Sequence, residues 1–265
     1  AMLRLLAGVG VLAACAATPP TCGWKRISNC TGAVPPARHG FAYADDVASS
    51  RMLLFGGCEG EAHSDCSAET SELGLSTLVW DQIRVANSDG APTPRMGSSA
   101  TMVGSQMLLF GGHADGSASN ELHALVFAAP ALPHWQRPRV TGRKPPAREA
   151  HAAAAVEGTL WVFGGYSDVG YYADLWVYDP RSGGWSSPKT SGDAPSARKG
   201  HAMSLIQRKL FVFGGSSLSC ADTRLYVLNT DSMRWAVAGA DSVHVPRARE
   251  GHATIACPSG RLLVY

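Results

Sequence analysis

Leu160-Trp161-Val162-Phe163-Gly164-Gly165 carries the pattern that decides the fold, because it returns three more times. The other copies are Met52-Leu53-Leu54-Phe55-Gly56-Gly57, Met107-Leu108-Leu109-Phe110-Gly111-Gly112 and Leu210-Phe211-Val212-Phe213-Gly214-Gly215. The first glycines stand at 56, 111, 164 and 214, so successive steps are 55, 53 and 50 residues. An arginine in a Pro/Ala-rich turn precedes each pair, as Arg38, Arg95, Arg148 and Arg198, with Arg249 as a fifth copy. A tryptophan lies 13 to 15 residues before each arginine, as Trp24, Trp80, Trp135, Trp185 and Trp235. Three marker types in one order at one period define a repeat architecture.

Each repeat reads as four strands. His151 to Val156 is small and apolar and suits a strand near a crowded axis. The turn Glu157-Gly158 leads into Thr159 to Phe163, whose residues favour strand. The glycine pair follows, where the backbone needs φ > 0 or close approach to a neighbour. Asp174-Leu175-Trp176-Val177-Tyr178-Asp179 alternates as a half-buried strand does, and Pro180 to Gly184 turns the chain back into a last strand at Trp185. Four antiparallel strands per roughly 50 residues make a propeller blade.

Composition agrees. With 29 glycines and 16 prolines in 265 residues, about one residue in six interrupts regular structure, as an all-β chain of short strands and tight turns requires. At 45% apolar residues the chain is not of the disordered class, and a net charge of +2 gives no basic surface for nucleic acid. No transmembrane span is expected.

Apolar-Phe-Gly-Gly, Asp-Leu-Trp-Val-Tyr-Asp-Pro, the spaced Trp and Ala197-Arg198-Lys199-Gly200-His201 together resemble the kelch-repeat β-propeller family. Repeats three and four carry the resemblance best. Repeat one shortens the interval from Leu73 to Trp80, and repeat two has Leu122-His123-Ala124-Leu125 and places Ser98 where others carry His. The resemblance implies an all-β kelch-type propeller over residues 18–265, with blades near 38–90, 91–142, 143–192 and 193–243 and a partial blade at 244–265. Leu262-Leu263-Val264-Tyr265 matches Leu210 to Phe213 and stops where the glycine pair would come, so the chain reads as a fragment of a ring of five to seven blades.

Residues 1–17 read in two ways. Met2-Leu3-Arg4, the run Leu5 to Ala14 and Ala14-Cys15-Ala16 resemble a secretory signal peptide. Alternatively Val11 to Trp24 repeats the spacing of Leu122 to Trp135 and belongs to a strand of a preceding blade. The first reading favours a secreted or cell-surface location, the second the cytoplasm. Cys22/Cys30 and Cys58/Cys66 are both eight apart and suit loop-closing disulfides in an oxidising compartment, with reduced thiols the alternative.

The glycines are locked to the repeat and do not form a phosphate loop, and no catalytic, cofactor-binding or metal set can be assigned. His151, His201 and His252 occupy one repeat position and are expected to hydrogen-bond between blades. Glu59, Glu61, His63 and Asp65 read as a solvated acidic loop or a hard-cation loop. The five arginines would form a collar at the start of the inner strands, either a positive field for an anionic partner or, as the family resemblance implies, ties between blades. The loops after each glycine pair differ, and variable loops on a rigid scaffold are where recognition lives. Their candidate partner-binding residues are Glu59, Glu61, His113, Asp115, Tyr166, Asp168, Tyr171, Tyr172 and Ser216, with the tyrosines either anchoring a partner or covering an adjacent blade. The expected function is a non-catalytic scaffold, a monomeric propeller that binds a protein. The alternatives are a carbohydrate-active propeller enzyme, of the oxidase or sialic-acid epimerase type, and a glycan-binding propeller.

Overall fold

The computed structural model describes residues 10–14, 23–27, 29–60, 65–86, 89–128, 130–217, 222–239, 246–257 and 259–265. Among these, every regular element is a β-strand. Blade one runs outward from Ala42–Asp46 through Arg51–Phe55 and Thr70–Gly74 to Val79–Gln82. Blade two is Ser99–Val103, Gln106–Phe110, Leu122–Val126 and His134–Gln136. Blade three is Ala152–Val156, Thr159–Phe163, Leu175–Asp179 and Gly184–Ser186. Blade four is Ala202–Ile206, Lys209–Phe213, Leu225–Asn229 and Arg234–Val237. Thr254–Ala256 pairs with Leu262–Val264 as the first hairpin of a fifth. Each inner strand packs beside the next, so the blades fan around an axis as a β-propeller.

The repeated residues meet across blades. Phe55 contacts Trp135 with ring centroids 5.4 Å apart, Phe110 contacts Trp185 at 5.0 Å, and Phe163 contacts Trp235 at 5.3 Å. The Phe of one blade is therefore seated against the Trp of the following one. The phenylalanine also meets the following blade's histidine, edge-on at 5.3 Å for Phe110–His151, 5.4 Å for Phe163–His201 and 5.6 Å for Phe213–His252. Three core clusters accordingly lie between blades, such as the group joining Phe163 to Leu210, Tyr226 and Trp235. Aromatic contacts of this geometry add about 0.5–1.5 kcal/mol each beyond their buried area.

The backbone also ties the blades. Gly97 N–H donates to Gly40 O at 2.7 Å, Ala150 to Gly97 at 2.7 Å, Gly200 to Ala150 at 2.8 Å and Gly251 to Gly200 at 2.8 Å. These five residues sit at φ between 50° and 65°, the left-handed region, where only Ala150 carries a Cβ. A second chain of bonds runs from the second glycine of each pair to the next blade's arginine carbonyl, Gly57 to Arg95 at 2.9 Å, Gly112 to Arg148 at 2.9 Å and Gly165 to Arg198 at 2.8 Å.

One feature goes beyond four strands per blade. The segment leading into blade one pairs Thr31–Gly32 in parallel with that blade's own outer strand, and Ser191–Gly192 does the same on blade four. Single bridges repeat the pairing at Ala86–His134 and Thr141–Gly184. The chain thus covers each outer edge before turning inward, which closes backbone groups that would otherwise invite another strand.

Gly10–Ala14 and Gly23–Ile27 form a separate antiparallel ladder with Ala13 opposite Trp24. Of the stretch read as a signal peptide, residues 1–9 and 15–17 lie outside the described residues. Cys58 and Cys66 are joined in a disulfide as their spacing predicts. Cys30 is a free thiol, so of the two readings of the Cys22/Cys30 spacing the structure has Cys30 reduced. Its place against Leu54, Leu73 and Trp80 makes it part of an apolar cluster.

Candidate functional site

The loops after the glycine pairs fold into short hairpins at one end of the blades. Cys58–Glu59 pairs with Asp65–Cys66, His113–Ala114 with Ser117–Ala118, and Tyr166–Ser167 with Gly170–Tyr171. Each begins with a bridge to the residue after its blade's arginine, His39–Cys58, Met96–His113, Glu149–Tyr166 and Lys199–Ser216. The glycines make this possible. A Cβ on Gly164 would stand 2.7 Å from a ring carbon of His201 and 2.9 Å from Arg198 O, and one on Gly214 2.6 Å from His252. Only a residue without a side chain leaves room for the next blade's histidine.

The arginines do not form an exposed positive collar. Arg38, Arg95, Arg148 and Arg198 are buried, and the ion pairs that neutralise them lie within their own blades. Arg148 donates from Nε to Pro146 O at 3.1 Å, from one terminal nitrogen to Gly164 O at 2.8 Å and Asp174 Oδ1 at 2.7 Å, and from the other to Asp174 Oδ2 at 2.9 Å. Arg95 repeats this with Thr93 O, Gly111 O and Glu121, and Arg198 with Ser196 O, Gly214 O and Asp222. Arg38 reaches Gly56 O at 3.2 Å and lies 3.6 Å from Glu69. The side chain therefore locks the loop within a blade, and its carbonyl makes the tie between blades.

Of the carboxylate partners only Asp174 stands in a quoted motif, at the head of Asp-Leu-Trp-Val-Tyr-Asp-Pro, and its bond to the arginine is not legible there. Asp174 precedes its strand directly and also accepts from Trp176 Nε1 at 2.6 Å. Glu121 holds the same place in blade two and faces His123. In blade four that place is Arg224, and Asp222, two residues earlier, takes over and accepts from Tyr226 at 2.6 Å. Burial pulls Glu121 upward, but hydrogen bonds from Arg95 and His123 outweigh it and hold its carboxyl down at about 2. Asp174 and Asp222 are lowered in the same way, against burial, by their arginine and aromatic donors.

The histidines are neutral structural groups. Burial first, then Arg198, depresses His201 to about 3, and its Nε2 bonds Phe163 O of the preceding blade at 3.1 Å. Burial and then Arg249 hold His252 at about 4, and burial and then Arg148 hold His151 well below its ordinary range. Among the described residues no three His, Cys, Asp or Glu side chains are placed to hold a metal, and no helix is long and apolar enough to cross a membrane.

Of the candidate binding residues, blade three brings together the best-defined group. Tyr166 and Tyr171 meet edge to face at 5.0 Å across their hairpin, and Lys199 Nζ of the next blade lies 4.6 Å over Tyr166 and 5.9 Å over Tyr171. Asp168 and Val169 form the tip, where Val169 is 91% exposed. Tyr172 turns inward, with its ring 4.4 Å from the Arg148 guanidinium and its hydroxyl 2.8 Å from Ser167 Oγ. His113 lies 3.4 Å from Glu149, and Ser216 donates to Glu250, so these hairpins also rest on the next blade. Asp115 stands exposed at its tip with φ 50°, and Glu59 is exposed near Arg38. Glu61 and His63 lie outside the described residues. Lys199 and Val169 lie outside the residues expected from the sequence; Val169 is marked only by standing between Tyr166 and Tyr171, and Lys199 only by following Arg198 in the next repeat.

The chain matches the KLHDC2/KLHL20/DRC7 Kelch-repeats domain over residues 15–132 and 132–265. It is 35% identical over 163 residues to human Kelch domain-containing protein 3, an alignment covering 57% of this chain and 41% of that protein. It is 34% identical over 259 residues to Host cell factor of Drosophila melanogaster, covering 84% of this chain and 17% of that one. Tip elongation aberrant protein 1 of Schizosaccharomyces pombe is 33% identical over 156 residues, 57% of this chain and 13% of its own. This chain thus spans less than half the length of each of these relatives. On both its repeat geometry and these matches, the chain belongs to the kelch-repeat family.

Proposed function

We propose that this chain is an interaction module that binds a protein partner through the hairpins following the glycine pairs. The observation that carries this reading is the cluster of Tyr166, Tyr171 and Val169, exposed or half-buried on a hairpin whose backbone is fixed at both ends, with Lys199 of the next blade over the tyrosine rings. Rigid aromatic anchors on a preorganised loop lose little entropy on binding and concentrate interface energy. The neighbouring hairpins differ in sequence while sharing the same support, so they supply specificity around that centre. The test is affinity capture with the propeller as bait, repeated with Tyr166→Ala, Tyr171→Ala and Val169→Asp. A partner retained by the parent and lost in these folded variants supports the reading. A partner held equally by all of them sinks it.

A further inference from the structure

The inner strands leave an axial channel of about 530 Å³. Their registers are equivalent, because Ala42, Ser99, Ala152 and Ala202 lie opposite Phe55, Phe110, Phe163 and Phe213. Counting from there, Asp45 shares its depth with Met102, Ala155 and Leu205, and Tyr43 shares its depth with Ala100, Ala153 and Met203. Asp45 is the single carboxylate among the described lining residues, and no lysine or arginine lines the channel with it. Tyr43 and Asp45 are two apart on one strand and so share a face. Neither has a hydrogen-bond or ion-pair partner among the described residues. Asp46, on the opposite face, shows what a satisfied neighbour looks like, held by Arg51 at 2.9 Å and by Ser49.

We propose that the half of the channel away from the hairpins binds an aliphatic cation, an alkyl ammonium group with Asp45 as counterion. The Tyr43 ring beside the carboxylate offers its negative face to the same charge. Met102 and Leu205 take the methylene chain, and Ala100, Ala153 and Ala155 leave the width for it. The electrostatics point the same way. Asp45 is exposed to the water of the channel, while the protein around it raises its pKa by desolvation, and burial followed by Asp45 itself raises Tyr43 to about 12. A carboxylate with no partner of its own gains from a cation that the channel walls hold beside it.

The ammonium group has two sources, a free amine or the lysine side chain of a peptide, and two probes separate them. Calorimetric titration of the chain with n-butylammonium chloride is expected to show saturable single-site binding, with none for n-butanol. Asp45→Asn, and Ala155→Leu which fills the channel while keeping the charge, are each expected to weaken it about tenfold. A blocked pentapeptide of alanines with a central lysine binding as well as the amine assigns a side-chain ligand, and binding of the amine alone assigns a small molecule. Asp45→Asn is expected to fold with an unchanged or higher unfolding midpoint, so lost binding is not lost structure. Equal affinity in parent and Asp45→Asn, or no saturation with n-butylammonium, overturns the proposal.

Discussion

Arg148 is fully buried and fully paired, and that pairing explains why arginine rather than lysine recurs at this position. One planar group reaches a turn carbonyl, a glycine carbonyl and both carboxylate oxygens, a fork that an ammonium cannot reproduce. Arg148→Lys is therefore expected to leave Gly164 O or Asp174 without its donor and to destabilise the chain by about 1–3 kcal/mol, the cost of a buried group left without its hydrogen bond. Chemical denaturation measures it. Arg208 is the comparison, pairing with Asp231 and Glu157 at the exposed surface. Arg208→Gln is expected to leave the midpoint almost unmoved, since solvent already screens that pair. A similar loss from both variants would refute the assignment. The sequence marks each arginine by its period. It does not mark Glu121 or Asp222, and it marks Asp174 only as the head of a strand motif, because an acid beside a strand looks like any solvated residue until the fold brings the guanidinium to it.

Among the elements, the blade strands are legible because their alternation and glycine pairs recur at a fixed period. The parallel segments Thr31–Gly32 and Ser191–Gly192 are not, since two small polar residues have no periodicity to read. Their glycines are nevertheless required: a Cβ on either Gly32 or Gly192 would fall 2.2 Å from the carbonyl oxygen of Trp80 or Trp235. The glycine pairs combine both demands, a left-handed backbone and a neighbouring blade at contact distance. Gly164 has φ 64° and meets His201 and Arg198. Gly164→Ala is thus expected to cost at least about 1–2 kcal/mol for the left-handed backbone alone, with the displaced histidine in addition. Ala150, at φ 50°, shows that a left-handed backbone by itself does not require glycine in this fold. Hydrogen exchange across Ala202–Ile206 would report the loosening of blade four from blade three. Unchanged protection there in Gly164→Ala would show that the glycine serves only its own turn.

For the whole molecule, the same contacts that join the blades set how it responds to acid. His151, His201 and His252 each sit between one blade and the preceding Phe, neutral, with pKa values below the ordinary 6.5. A group that binds its proton less readily when folded adds stability that is fully present above its unfolded pKa and is lost as pH falls toward the folded value. For the histidines that loss begins near 6.5 and continues to about 3 for His201 and about 4 for His252. The lowered carboxylates Glu121, Asp174 and Asp222 extend it, being fully stabilising only above their unfolded values of 4.5 and 3.8. Asp45 opposes them, because its raised pKa favours the fold below 3.8 and that advantage disappears as pH rises through its folded value. His123 and Asp46 are lowered as well, so one opposing group cannot reverse the trend, and the thermal midpoint is expected to fall steadily from pH 7 to pH 4. His201→Gln can still donate to Phe163 O but cannot gain a proton. It is expected to lower the midpoint at pH 7 yet flatten its decline between pH 6.5 and pH 4. A decline as steep as the parent's would mean that protonation between the blades is not what acid does to this fold.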